Sequence, residues 1–193
     1  MEASKLWRIA ENELEKHLTV RSQRRLRVRF SFDADPRWGR ELLVQRRGST
    51  DPGVRVRLVA TNELDQDLNG DPVIAVDFPV AVDIDGPESR RYWFIFAYLC
   101  EAHLGFAEPI YIVPAPALKR FVDHERRASG STVYSFRGPM VPGDELWDHF
   151  AFSIDDLATA VLGALQRLED LENLPSPQPS PARGEDEDRD RAA

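Results

Sequence analysis

Tyr92-Trp93-Phe94-Ile95-Phe96-Ala97-Tyr98-Leu99 is apolar from end to end and shows no alternation. A strand with one wet face alternates with period two, so this run predicts a central strand covered on both faces. Asp85-Gly86-Pro87 provides the turn that leads into it, and Cys100 follows directly. Working outward, runs rich in Val, Ile, Phe or Tyr bounded by turn residues predict further strands over 24–33, 41–46, 54–60, 73–84 and 109–113. A helix is expected over 4–17, where Leu6, Ile9, Ala10 and Leu14 share a face, and another from Pro116 to Arg126, opened by proline. Ser153-Ile154-Asp155-Asp156 has the form of a capping box with Asp in place of Glu. Leu157, Val161, Leu165 and Leu168 then continue at helical spacing to about Leu171. This order predicts one domain of mixed α and β class (α/β, or α+β) over residues 1–173: a central mixed sheet flanked by helices.

The chain has 193 residues and 42% apolar content, enough for one ordinary core and too little for two domains of usual size. Residues 174–193 are expected to form a disordered tail, because Pro175-Ser176-Pro177-Gln178-Pro179-Ser180-Pro181 and the charged run after Gly184 contain no large apolar side chain. The longest apolar run, Tyr92 to Cys100, is far too short to cross a bilayer, and no apolar segment follows a basic start, so a soluble, cytoplasmic protein without a membrane partner is expected. A single cysteine excludes an internal disulfide, and Cys100, at the end of the most apolar strand, is expected to be a core residue.

The net charge is −8, but it is unevenly spread. Residues 1–60 carry 14 basic and 8 acidic side chains, whereas residues 61–174 carry 8 and 20. Arg21, Arg24, Arg25, Arg27 and Arg29 fall within nine residues, and Arg25-Leu26-Arg27-Val28-Arg29-Phe30 alternates strictly. That pattern predicts a half-buried strand with one face of guanidinium groups. Two readings follow: Arg21, Arg25, Arg27 and Arg29 track the phosphates of DNA, or they form a solvated face paired with the acidic remainder.

Several familiar chemistries find no support. The four histidines, His17, His103, His124 and His149, lack zinc-ligand spacing, and no Gly-x-Ser-x-Gly, Walker or Gly-x-Gly-x-x-Gly motif occurs. Asp65-Gln66-Asp67-Leu68-Asn69-Gly70-Asp71 begins like a calcium loop, but its twelfth position is Val76 and Pro72 falls inside it. Flanked by strand-like segments, Asn69-Gly70 predicts a hairpin instead.

The remaining constellation is Asp33-Ala34-Asp35-Pro36-Arg37-Trp38-Gly39-Arg40-Glu41-Leu42-Leu43-Val44-Gln45-Arg46-Arg47-Gly48-Ser49. Two strands joined by a polar turn, with acids before the turn and Gln-x-Arg on the second strand, resemble the PD-(D/E)xK, or restriction-endonuclease-like, superfamily. Trp93-Phe94-Ile95-Phe96, Ile110-Tyr111-Ile112-Val113-Pro114 and Leu146-Trp147-Asp148-His149-Phe150 follow in a similar order. The resemblance implies Mg²⁺ held by Asp33 or Asp35 with Gln45, with Glu41 a further ligand, and Arg47 in the place of the family lysine. Metal-assisted phosphodiester cleavage uses such a set because the ion stabilises developing charge and lowers the pKa of its bound water. Arg47 departs from the pattern, since a guanidinium neutralises phosphate but does not give up a proton. The resemblance therefore implies a degenerate nuclease-like domain that binds or cleaves DNA, with an inactive protein-interaction or self-associating module of the same fold as the alternative.

Overall fold

The computed structural model describes residues 3–30, 41–80, 86–126, 132–141, 143 and 146–172. In chain order its elements are α1 (Ala3–Lys16) with a π-helical turn His17–Arg21, β1 (Leu26–Phe30), β2 (Glu41–Arg46), β3 (Val54–Thr61), β4 (Asp65–Gln66) and β5 (Pro72–Pro79). A 3-10 turn at Pro87–Arg91 leads into β6 (Tyr92–Cys100), β7 (Gly105–Pro114), α2 (Ala115–Phe121), β8 (Asp123–Arg126), β9 (Thr132–Pro139), β10 (Ala151–Phe152) and α3 (Leu157–Glu172).

The fold is α+β, with two sheets. The larger has the order β1-β2-β3-β6-β7-β10 and is mixed: β3 and β6 run parallel and every other neighbour is antiparallel. The smaller is antiparallel, in the order β4-β5-β9-β8. β6 is the central strand its sequence predicts, and its two faces enter two different cores. Trp93, Ile95, Ala97 and Leu99 meet Leu6, Ala10 and Leu14 of α1 and Val161 and Leu165 of α3. Tyr92, Phe94 and Phe96 meet Ile74, Phe78, Tyr134 and Phe136 of the smaller sheet. The second core is largely aromatic, with the Phe96 and Phe136 rings stacked at 3.8 Å between centroids.

α1 runs two residues short of a straight α-helical continuation to Leu18, which is fully buried in the π turn. The α3 start is as its sequence predicts: the Asp156 amide donates to Ser153 Oγ (3.1 Å), and the Ser153 hydroxyl donates to the Asp156 carboxylate (2.7 Å). The Asn69-Gly70 segment closes a β4–β5 hairpin, where Asp67 Oδ1 accepts the amides of Asn69 (2.8 Å) and Asp71 (2.9 Å).

Three expectations need correction. The helix predicted from Pro116 to Arg126 ends at Phe121, and Asp123–Arg126 is a strand on the edge of the smaller sheet. The single central sheet becomes two, because β9, which carries no expectation, pairs with β5 over Val133 to Pro139. Cys100 is only partly buried. The first strand begins at Leu26 rather than at residue 24, and β5 spans Pro72–Pro79; residues 31–33 and 81–84 of the two expected strands lie outside the described residues. No described helix is long and apolar enough to cross a membrane.

Candidate nucleic-acid interface

The sidedness of β1, β2 and β3 follows from alternation. Leu26, Leu42, Val44, Val54, Val56 and Leu58 are buried against α1 and α3, with Val28 and Phe30 packed beside them. Successive side chains of a strand point to opposite faces, so Arg27, Arg29, Gln45, Arg55 and Arg57 are carried to the other face, with Arg25 and Arg47 one residue beyond the ends of β1 and β2. Register aligns them. Arg27 pairs with Gln45, Arg29 with Leu43, Leu43 with Arg55, and Arg55 with Tyr92, while the Arg47 amide donates to the Arg25 carbonyl at 2.8 Å.

Arg25, Arg27, Arg29, Arg47 and Arg55 are exposed, and among the described residues none has an ion-pair partner. Spacing along β1 is about 6.6 Å per alternate residue, and Arg29 and Arg55 stand two strands, about 10 Å, apart. The face therefore presents five cations over an area about the length of one strand. Arg57 marks its inner limit: it is 6% exposed, and its guanidinium donates to the Pro79 carbonyl (3.3 Å) where the smaller sheet begins to cover the larger.

Two neighbouring arginines are paired instead. Arg46, facing the helices, pairs with Glu169 of α3, and Arg21 pairs with Asp155 at 2.8 Å. Arg21 thus belongs to the helical layer, whereas Arg25, Arg27 and Arg29 form the row expected of them. Arg55 was not among the residues singled out from sequence, although Val54-Arg55-Val56-Arg57 carries the same period-two signal as β1.

The connection from β2 to β3 is fixed by Arg91 and Asp51. The guanidinium donates twice to the carboxylate (2.9 and 2.7 Å) and once to the Gly53 carbonyl (2.9 Å), and Asp51 Oδ1 also accepts the Gly53 amide (2.6 Å). The Arg91 hydrogen bonds hold the Asp51 carboxyl below the usual carboxylate range, against the opposing effect of burial. Nearby, the Tyr92 hydroxyl donates to Glu41; burial first, then the Glu41 carboxylate, pushes the Tyr92 pKa up.

Asp33 and Asp35, expected to hold Mg²⁺, lie outside the described residues. Glu41 and Gln45 occupy the same face of β2 but four residues apart, about 13 Å along a strand. Mg²⁺ takes ligands at about 2.1 Å, so these two do not share an ion. Glu41 is engaged by Tyr92, and the Gln45 amide donates to the carbonyls of Asp51 (3.4 Å) and Pro52 (3.1 Å). Among the described residues no group of three or more His, Cys, Asp or Glu is placed to hold a metal ion. The described donors thus do not fit a Mg²⁺ centre, and no chemical step is derived through one. Comparison with known proteins finds no matching family model, no curated relative and no matching solved structure.

Proposed function

We propose that the chain is a DNA-binding domain, a degenerate PD-(D/E)xK (restriction-endonuclease-like) relative, whose arginine face contacts the phosphate backbone independently of sequence. The observation that carries this reading is the set of five exposed arginines without ion-pair partners among the described residues: Arg27, Arg29 and Arg55 on one face of β1 and β3, and Arg25 and Arg47 at the adjoining ends of β1 and β2. Releasing the counterions of several phosphates is what such a face does best, and guanidinium forks suit phosphate oxygens. The nuclease-like relationship is supported by the adjacency of β1 and β2 and by Gln45-x-Arg47, which runs from the end of β2 into the following turn.

Binding is favoured over cleavage, since the cationic face is assembled from described residues and the described oxygen donors do not converge. Cleavage is tested separately, by incubating purified protein and its Arg47→Lys variant with single- and double-stranded DNA in Mg²⁺ or Mn²⁺. Nicking that Asp33→Ala or Asp35→Ala abolishes would establish a catalytic site with a metal cofactor.

A second reading has an observation of its own. The smaller sheet exposes Asp77, Asp123 and Glu125 besides Asp65, which pairs with Arg137, so the arginine face of one copy could meet the acidic sheet of another, or an acidic protein. Charge reversal separates the two. Arg27→Glu with Arg29→Glu should abolish DNA retardation while leaving the sedimentation coefficient unchanged; a wild-type oligomer that this variant dissociates, without any DNA binding, would establish self-association instead.

A further inference from the structure

A cleft of about 400 Å³ opens beside the arginine face, lined from the β2–β3 connection and the 3-10 turn that precedes β6. Its lining includes the apolar Leu43 and Pro52, Tyr92, and the charged Arg55, Glu88 and Arg91. Leu43 lies one strand from Arg29 and one strand from Arg55, each about 4.8 Å away, so the cleft continues the row of cations. Arg55 is exposed and has no ion-pair partner among the described residues, whereas Arg91 is held by Asp51.

These groups match the chemistry of a nucleobase. An apolar lining takes the base plane, a planar guanidinium stacks on it, and a carboxylate accepts from exocyclic amino groups. We infer that this cleft seats a single unstacked base of a DNA strand whose phosphates lie on Arg27 and Arg29, so that the domain prefers single-stranded DNA. The inference rests on the arginine face binding DNA and adds the form of DNA. It also runs against what charge alone dictates: duplex DNA releases more counterions per phosphate than a single strand, so a purely electrostatic face favours duplex. A base inside a duplex must first be unpaired and unstacked before it can enter the cleft.

The test compares, by fluorescence anisotropy at one ionic strength, the affinity of the full chain for a labelled mixed-sequence oligonucleotide and for the same sequence as a duplex. Wild type should bind the single strand about tenfold more tightly, the scale of stacking one base. Leu43→Arg fills the cleft while adding a charge, so it should weaken single-strand binding and leave duplex binding equal or tighter. Arg55→Lys keeps the charge but removes the planar group, and should weaken single-strand binding more than duplex binding. Equal or tighter binding of duplex by wild type, or parallel losses for both DNA forms in the two variants, would overturn the inference and leave the arginine face standing. Competition by free deoxynucleoside monophosphates as effective as that of the oligonucleotide, compared per nucleotide, would overturn it in favour of a mononucleotide site. No binding of either DNA form would overturn the arginine-face reading, and this inference with it.

Discussion

Asp51 closes the connection on which the arginine face depends, and its protonation state has a defined sign. The ordinary carboxyl value is 3.8, and the Arg91 hydrogen bonds lower it in the folded chain. Stability from the pair is therefore fully present above the ordinary value and is lost as pH falls through the lower, folded one. Asp51→Asn should reduce stability at pH 7 by about 1–3 kcal/mol, as expected for a partly buried charged hydrogen bond, and should flatten the decline below about pH 4 in thermal melts. An acid limb as steep as that of wild type would show that other carboxylates carry it. Gly53 is the second fixed point. Its φ is +81°, and a Cβ there would stand 2.4 Å from the Val44 carbonyl oxygen, so Gly53→Ala must displace β2 from β3. At Gly48, with φ +78° and open space around it, alanine meets only the left-handed strain, about 1–2 kcal/mol. Gly53→Ala should be the more destabilising of the two in denaturant melts; equal effects would contradict the close approach.

At the scale of elements, the sequence was most legible where one force dominated. β6 is covered on both faces and reads as an unbroken apolar run, and the start of α3 follows from the Ser153 cap and its helical spacing. β8 was not legible, because Asp123-His124-Glu125-Arg126 has little strand propensity and is strand only through pairing with β9. β9 does alternate, with Tyr134, Phe136 and Gly138 inward and Ser135 and Arg137 outward, but Gly138-Pro139 reads as a breaker. In the fold Gly138 is an aromatic contact point: a Cβ there would lie 2.6 Å from the Phe136 ring and 2.8 Å from that of Tyr111. Gly138→Ala should cost about 1–3 kcal/mol by overpacking. Ser153→Ala should cost about 1 kcal/mol by leaving the Asp156 amide without its cap. Urea titrations should rank the two in that order, and a neutral Gly138→Ala would contradict the close aromatic packing around β9.

Over the whole molecule, charge is sorted by sheet. Among the described residues Arg25, Arg27, Arg29, Arg47 and Arg55 are exposed without an ion-pair partner beside β1–β3, while Asp77, Asp123 and Glu125 are exposed on the smaller sheet, where Asp65 pairs with Arg137. On the proposed DNA-binding reading, that separation would orient an approaching polyanion although the net charge is −8. The row Arg25–Arg29 was readable as period two, but its extension to Arg47 and Arg55 requires strand order and register, which no local pattern supplies. Residues 175–193 contain no Leu, Ile, Val, Met or aromatic side chain, so their removal should leave the thermal midpoint nearly unchanged. The central claim is tested most directly by the salt dependence of DNA affinity. With all five arginines engaged, log Kd against log salt should rise with a slope of about 4.5 on unrelated duplex sequences, and Arg27→Ala with Arg29→Ala should remove about two units from it. Affinity undetectable at low salt, or a slope that the double substitution leaves unchanged, would contradict the assignment of this face to phosphate binding.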